Sequence, residues 1–190
     1  MTEKKKNVAI LGATGYGGGE LLRLLLQHPE VEVLYATSRN RAGVAVAEVH
    51  RNLAHLTDME FSNPSQTEVS ENCDIIFGAL PHKSAAQVLA PYVDEGKTVI
   101  DLSGDFRLKD VDQYRQWYKA EHPRPDLLEK GVYGCPELYR EEIRGAKLVA
   151  SPGCFATAIN LALLPAAKAG LISGRVTVAA MTASSGSGAE

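Results

Sequence analysis

Cysteine is scarce in this 190-residue chain, and its three copies, Cys73, Cys135 and Cys154, are an odd number without metal-site spacing. That fits a reducing cytoplasm better than a disulfide framework. His28, His50, His55, His82 and His122 show no paired zinc-ligand spacing either, so no metal is predicted. Charge of one sign is also missing: 20 Lys and Arg stand against 23 Asp and Glu, and no basic stripe suggests nucleic acid. Lys4-Lys5-Lys6 is the one charge run, read as a solvated terminus. No apolar stretch approaches the roughly 20 residues of a membrane span. The basic start runs straight into strand-like residues rather than a leader's apolar core. The chain is expected to be soluble and cytoplasmic, with no nucleic-acid or membrane partner. It is long enough for one domain, or for one plus part of another.

What is present is an alternation. Asn7–Leu11 is a short apolar strand, Gly18–Gln27 has leucines at helical spacing, and Val31–Ala36 is a second strand. Cys73–Leu80 is a continuous apolar run of the kind buried on both faces of a parallel sheet. Ser84–Asp94 reads as helix, then Thr98–Leu102 and Lys147–Ala150 as strands. This rhythm predicts an α/β fold, a Rossmann-type doubly wound parallel sheet. Residues 107–144 are polar, aromatic and proline-containing, and predict an excursion over the surface. Arg175–Met181 predicts a further strand, followed by a Ser/Gly-rich loop. No internal repeat is visible.

Between the first strand and the first helix lies Gly12-Ala13-Thr14-Gly15-Tyr16-Gly17-Gly18. At that place a sheet edge meets a helix N-terminus, and N–H groups and dipole together stabilise phosphate. Gly12 allows the tight turn, Gly15 lets the backbone approach a pyrophosphate, and Gly18 lets helix and strand pack closely. Gly12, Ala13, Thr14, Gly15, Tyr16 and Gly17 are therefore candidate cofactor residues; the alternative is a turn that needs glycine for chain geometry alone. About twenty residues on, an acidic residue would bind the ribose hydroxyl of NAD. The chain has Thr37-Ser38-Arg39-Asn40-Arg41 there. Ser38, Arg39 and Arg41 suit a 2′-phosphate, which favours NADP; the alternative is a solvated arginine pair.

Ser151-Pro152-Gly153-Cys154 precedes a long apolar-periodic segment. If that segment is a helix, Cys154 sits in its first turn, where free amides and the positive dipole end favour the nucleophilic thiolate. Cys154 is thus a candidate for covalent catalysis; the alternative is a cysteine packed as a small hydrophobe. Arg107, in Asp101–Leu108, could hold a carboxylate or phosphate, or form an ion pair with Asp105 or Asp110. Pro81 and His82, after another strand, could line a nicotinamide pocket, or Pro81 could simply start a helix. Cys73 is expected to be inert in the core, Glu137 to be positional, and His50 and His55 to lie on the surface.

Taken together, these residues identify the chain as resembling the N-acetyl-gamma-glutamyl-phosphate reductases, an arginine-pathway family of the semialdehyde dehydrogenase superfamily. The family signature is matched from Val149 through Ala158 and on to Pro165, and the other motifs follow in the expected order. The resemblance implies that the Cys154 thiolate attacks an acyl phosphate, releasing phosphate and leaving a thioester that hydride from NADPH reduces to the semialdehyde. It implies Ser185 and Gly186 close to the nicotinamide, a small-molecule substrate and a homo-oligomer. Family members are nearly twice as long, so the resemblance implies an NADP-binding domain over 1–150. The start of an α+β catalytic domain would follow over 151–190, with the acid/base histidine lying beyond. Thr182–Glu190 (TASSGSGAE) departs from the family's SGVSGAGR-like stretch and leans toward the related lysine-pathway reductases of carrier-bound aminoadipyl phosphate. A non-catalytic NADP-binding module is a further alternative.

Overall fold

Val8, Ala9, Ile10 and Leu11 are all buried, which requires a strand covered on both faces. The computed structural model, which describes residues 4–188, makes them the centre of β1 (Lys6–Leu11). The other strands are β2 (Val31–Thr37), β3 (Ile75–Gly78), β4 (Thr98–Asp101), β5 (Gly131–Tyr133) and β6 (Leu148–Ala150). They form one six-stranded sheet in the order β2-β1-β3-β4-β6-β5, with every pairing parallel. The chain winds from β1 to one side for β2 and to the other for β3. The carboxyl ends of β1 and β3 therefore bound the crevice where ligands gather in such sheets.

Side chains alternate along β1 into two cores. Val8 and Ile10 join Leu22, Val33 and Phe61 under α1 (Tyr16–Leu25) and the short α2 (Val46–Val49). Ala9 and Leu11 join Val69 of α3 (Gln66–Asn72) and Ala86, Leu89 and Val93 of α4 (Ala85–Asp94). Ile10 has no solvent exposure, so truncating it to alanine costs about 2–5 kcal/mol. The helix ends follow from local chemistry. Ser65 Oγ accepts the Glu68 N–H at the start of α3, and Asp110 accepts two amides at the start of α5 (Val111–Tyr118).

Two expectations are corrected. Residues 107–144 are not merely superficial: Tyr114, Leu127 and Leu128 are fully or almost fully buried, and the segment supplies β5 at the sheet edge before α6 (Pro136–Ile143). Three residues carry too little periodicity to be read as a strand, and their parallel partner lies well downstream in sequence. Arg175–Met181, read as a strand, has no ladder. Its alternating apolar residues meet no partner strand among the described residues. No described residue after Ala150 is buried, including all of α7 (Cys154–Lys168).

Candidate functional site

The glycine turn sits at the carboxyl end of β1. Gly12 has φ +84°, and a Cβ there would lie 2.4 Å from the carbonyl oxygen of Ala79 at the end of β3. A Cβ on Gly18 would lie 2.6 Å from the Ala13 Cα, so α1 packs against its own turn only because that atom is absent. Gly15 meets nothing closer than 3.9 Å and leaves its side open. Ala13 is wholly buried, and its N–H donates to the Thr37 carbonyl at 2.9 Å. α1 begins with no side-chain cap and no acidic residue in its first turn, and the amides of Tyr16, Gly17 and Gly18 have no acceptor among the described residues. These free donors at a helix start are what an anion requires.

Beside them opens a cavity of about 680 Å³. Its lining includes Gly12 and Thr14 of the glycine turn, Ser38, Arg39 and Arg41 of the loop after β2, and Pro81, Gln87 and Tyr92. Arg39 and Arg41 are exposed, and neither has a carboxylate partner among the described residues. Ser38 Oγ accepts the Arg41 N–H at 3.2 Å, which curls the loop so that both arginines face the cavity rim. Six sequence candidates thus meet around one space. Ala13, Gly15, Tyr16 and Gly17 adjoin it through the turn.

Next to the cavity the loops after β3 and β4 are pinned together. The buried Asp105 carboxylate accepts N–H groups from Lys83 at 2.7 Å and Ala86 at 2.9 Å, and the Tyr114 hydroxyl at 3.1 Å. It thereby caps α4 from a distant segment. Burial and that carboxylate push the Tyr114 hydroxyl's pKa well up, so Tyr114 stays a donor. His82 Nδ1 accepts the Gly104 N–H at 2.7 Å, so at the neutral imidazole its proton sits on Nε2. Asp101 accepts from the Ser103 amide and hydroxyl, yet burial still pushes its carboxyl up to about 6.

Cys154 is exposed and is the first residue of α7. Gly153, its N-cap, offers no side-chain acceptor, so the first-turn amides face outward uncapped. Thr157 returns both its N–H and its hydroxyl to the Gly153 carbonyl. The Ser151 N–H donates to the Asp101 carbonyl, so the cysteine turn leaves the same carboxyl edge as the glycine turn. Arg107 forms no ion pair with Asp105 or Asp110. Its Nε donates to the Ser151 carbonyl at 2.7 Å and its Nη2 to the Leu102 carbonyl at 2.9 Å. Its Nη1 would lie 3.2 Å from a Cβ on Gly153, so one face of the guanidinium looks at the cysteine turn. Cys154 and Arg107 do not line the cavity. Ser185 and Gly186 are exposed, lie in the single turn Ser184–Ser187, and do not line it either.

Residues 7–146 match the family described as semialdehyde dehydrogenase, NAD binding domain. The chain belongs to that family. It is 51% identical over 167 residues to an N-acetyl-gamma-glutamyl-phosphate reductase of Methanopyrus kandleri, covering 87% of this chain and 49% of that protein. It is 52% identical over 186 residues to a putative LysW-L-2-aminoadipate 6-phosphate reductase of Thermomicrobium roseum, covering 97% of this chain and 52% of that protein. The chain therefore spans about half the length of the curated relatives it matches. Its fold is similar to aspartate semialdehyde dehydrogenase II of Vibrio cholerae, with TM-score 0.61 and 21% identity, covering 87% of this chain and 47% of that one.

In this semialdehyde dehydrogenase domain some supporting residues escape sequence reasoning. His50, expected on the surface, is half-buried and bonds the Ala13 carbonyl at 2.8 Å. His122 is buried, its Nε2–H donating to the Asp105 carbonyl at 2.9 Å, and burial lowers its pKa. Asp105 was visible only as a possible partner of Arg107. Cys73 is buried and its thiol is pushed up to about 11 by burial, as expected of an inert position. Among the described residues no three His, Cys, Asp or Glu side chains converge to hold a metal ion, and no helix is long and apolar enough to cross a membrane.

Proposed function

We propose that this chain is the NADP-binding portion of an acyl-phosphate reductase, with Cys154 as its nucleophile. On this reading residues 1–150 bind the cofactor, and residues 151–190 begin a catalytic domain that the longer protein completes. The observation that carries the reading is the exposed Cys154 at an uncapped helix start, on the same sheet edge as a cavity rimmed by two unpaired arginines.

The residues present fit a dinucleotide. Tyr16, Gly17 and Gly18 offer free amides for a pyrophosphate, and Ser38, Arg39 and Arg41 offer a hydroxyl and two guanidiniums for a 2′-phosphate. No acidic side chain stands among the cavity-lining residues to repel that phosphate. Pro81 would flank the nicotinamide end. NADPH, when bound, supplies hydride. The chain's own contribution is the sulfur. The Cys154 thiolate attacks the acyl carbon of an acyl phosphate, the C–O bond to phosphate breaks, and inorganic phosphate leaves with the electron pair. The product is a thioester on Cys154, an acyl group that a hydride can reduce where a carboxylate resists. Free amides at the start of α7 stand as donors for the oxyanion that develops at the acyl carbon. Arg107 keeps one guanidinium face toward the cysteine turn, where an anionic substrate group would dock.

The substrate proposed is N-acetyl-glutamyl 5-phosphate, reduced to the 5-semialdehyde in arginine biosynthesis in the cytoplasm by a homo-oligomer. The test is phosphate-dependent reduction of NADP by N-acetyl-glutamate semialdehyde, using the full-length protein and Cys154→Ser. Activity abolished by the substitution is expected. Tight NADP binding without turnover would instead make this a non-catalytic module. A second reading rests on the 52% identity to the aminoadipate relative, which extends over 97% of the chain. Turnover only of a carrier-bound aminoadipate semialdehyde would establish it.

A further inference from the structure

We infer that His50 is a positioning residue that holds the glycine turn open for a phosphate by occupying the Ala13 carbonyl. The inference rests on the dinucleotide reading of that turn. In an α-helix each N–H bonds the carbonyl four residues back, and the first such bond of α1 runs from the Gly19 N–H to the Gly15 carbonyl, so α1 wound two residues further would join the Gly17 N–H to the Ala13 carbonyl. That carbonyl instead accepts His50 Nε2 at 2.8 Å, and the Gly17 amide is left without an acceptor among the described residues. A carbonyl can only accept, so the ring proton must sit on Nε2. The Ala13 N–H is simultaneously tied to the Thr37 carbonyl at 2.9 Å. Ala13 is thus clamped on one side by β2 and on the other by the C-cap of α2, and the helix cannot take in the Ala13 carbonyl.

The ring itself is held in place from two further directions. It packs edge-on against Phe61, with centroids 6.1 Å apart at 68°. Its opposite side lies over Gly19, where a Cβ would come within 2.6 Å of Cε1 and Nδ1. This accounts for a glycine at position 19, outside the spacing that phosphate binding needs: the bare Cα makes room for the imidazole. His50 does not line the cavity, and its ring hydrogen-bonds the Ala13 carbonyl, through which it acts.

The test compares two ligands on the full-length protein. NADPH carries the pyrophosphate, whereas adenosine 2′-monophosphate engages the arginine loop without it. His50→Met keeps bulk and removes the donor; His50→Gln places an amide N–H near the position of Nε2. Loss of one hydrogen bond's worth of preorganisation predicts NADPH binding weakened roughly fivefold to tenfold in His50→Met. Adenosine 2′-monophosphate binding is expected within about twofold of the parent, and His50→Gln is expected to recover most of the NADPH loss. Equal weakening for both ligands, or unchanged NADPH binding in His50→Met, would overturn the proposal. If the parent binds neither ligand, the dinucleotide reading falls and takes this inference with it. Nitrogen-15 spectra of the parent give a check independent of any variant: the His50 ring is expected as the Nε2–H form, and an Nδ1–H form would refute the clamp. Gly19→Ala should perturb thermal stability less in a His50→Ala background than alone, and equal perturbation would count against the ring's placement.

Discussion

Replacing Asp101 with asparagine should change how stability depends on pH. The Asp101 side chain is wholly buried at the end of β4. Burial pushes its carboxyl from the ordinary 3.8 up to about 6, against the opposing hydrogen bonds from Ser103 and the more distant Arg107 charge. An acid with a raised native pKa holds its proton more tightly folded than unfolded. Its stabilising contribution is complete below 3.8 and is lost as pH rises through about 6. The gap between the two values converts to about 3 kcal/mol over the full range, of which about 2 kcal/mol falls between pH 4.5 and 7. Asparagine keeps the shape and has no proton to lose. Urea unfolding of both chains at the two pH values isolates the residue, because titrating groups that do not interact with Asp101 cancel in the difference. Asp101→Asn should gain about 2 kcal/mol on the parent as pH rises from 4.5 to 7. If the two stability curves run parallel, burial does not outweigh the Ser103 bonds and the reasoning is wrong.

Four other outcomes follow from the geometry. Gly12→Ala combines φ +84° with a Cβ 2.4 Å from the Ala79 oxygen, so its melting midpoint should fall by about 4–8 °C, for a loss of about 2 kcal/mol; an unchanged midpoint would contradict the close approach. Arg39→Ala with Arg41→Ala should weaken NADPH binding about 10- to 100-fold, as expected for losing a charge-assisted hydrogen bond, and equal loss for NADH would remove the 2′-phosphate role. Under native conditions iodoacetamide should label Cys154 alone, since Cys73 and Cys135 are buried, and labelling of either buried thiol at a comparable rate would contradict the core packing. Arg107→Met should cost about 3 kcal/mol in chemical denaturation by freeing two buried-side carbonyls, and Arg107→Lys should recover part of it.

The sheet was legible because its strands announce themselves. Asn7–Leu11 and Val31–Ala36 are short apolar segments and the run ending at Leu80 is apolar enough to demand burial on both faces, and each became a strand within a residue or two. The glycine turn was equally readable, since its spacing and its flanking elements agree. Failures cluster where partners are distant. β5 has three residues, and nothing nearby in sequence reveals that Leu148–Ala150 will pair with it. Arg175–Met181 failed for the opposite reason. It has the composition of a strand, but composition provides no ladder, and no described strand pairs with it. The burial of Tyr114 and His122 was hidden because polar aromatic residues read as surface until Asp105 is known to sit among them.

The same distinction divides the candidate site into two kinds of residue. Motifs supplied the groups proposed to face a ligand: free amides at Tyr16 to Gly18, the arginines at 39 and 41, and the sulfur at 154. What they could not supply are the donors that set the shape of each turn from elsewhere in the chain. His50 bonds the carbonyl of Ala13 across 37 positions, and Arg107 bonds that of Ser151 across 44. Both act on a carbonyl just before a helix whose first amides must stay free, α1 in one case and α7 in the other. Each fixes a turn against relaxing toward its helix, and a helix that captured those residues would consume the donors that make its start useful. A motif therefore marks where an anion or a nucleophile belongs, while a remote cation or imidazole on a neighbouring loop keeps the backbone in the state that can serve it. In a doubly wound sheet these supports converge without coincidence, because every loop at the carboxyl edge ends within reach of its neighbours.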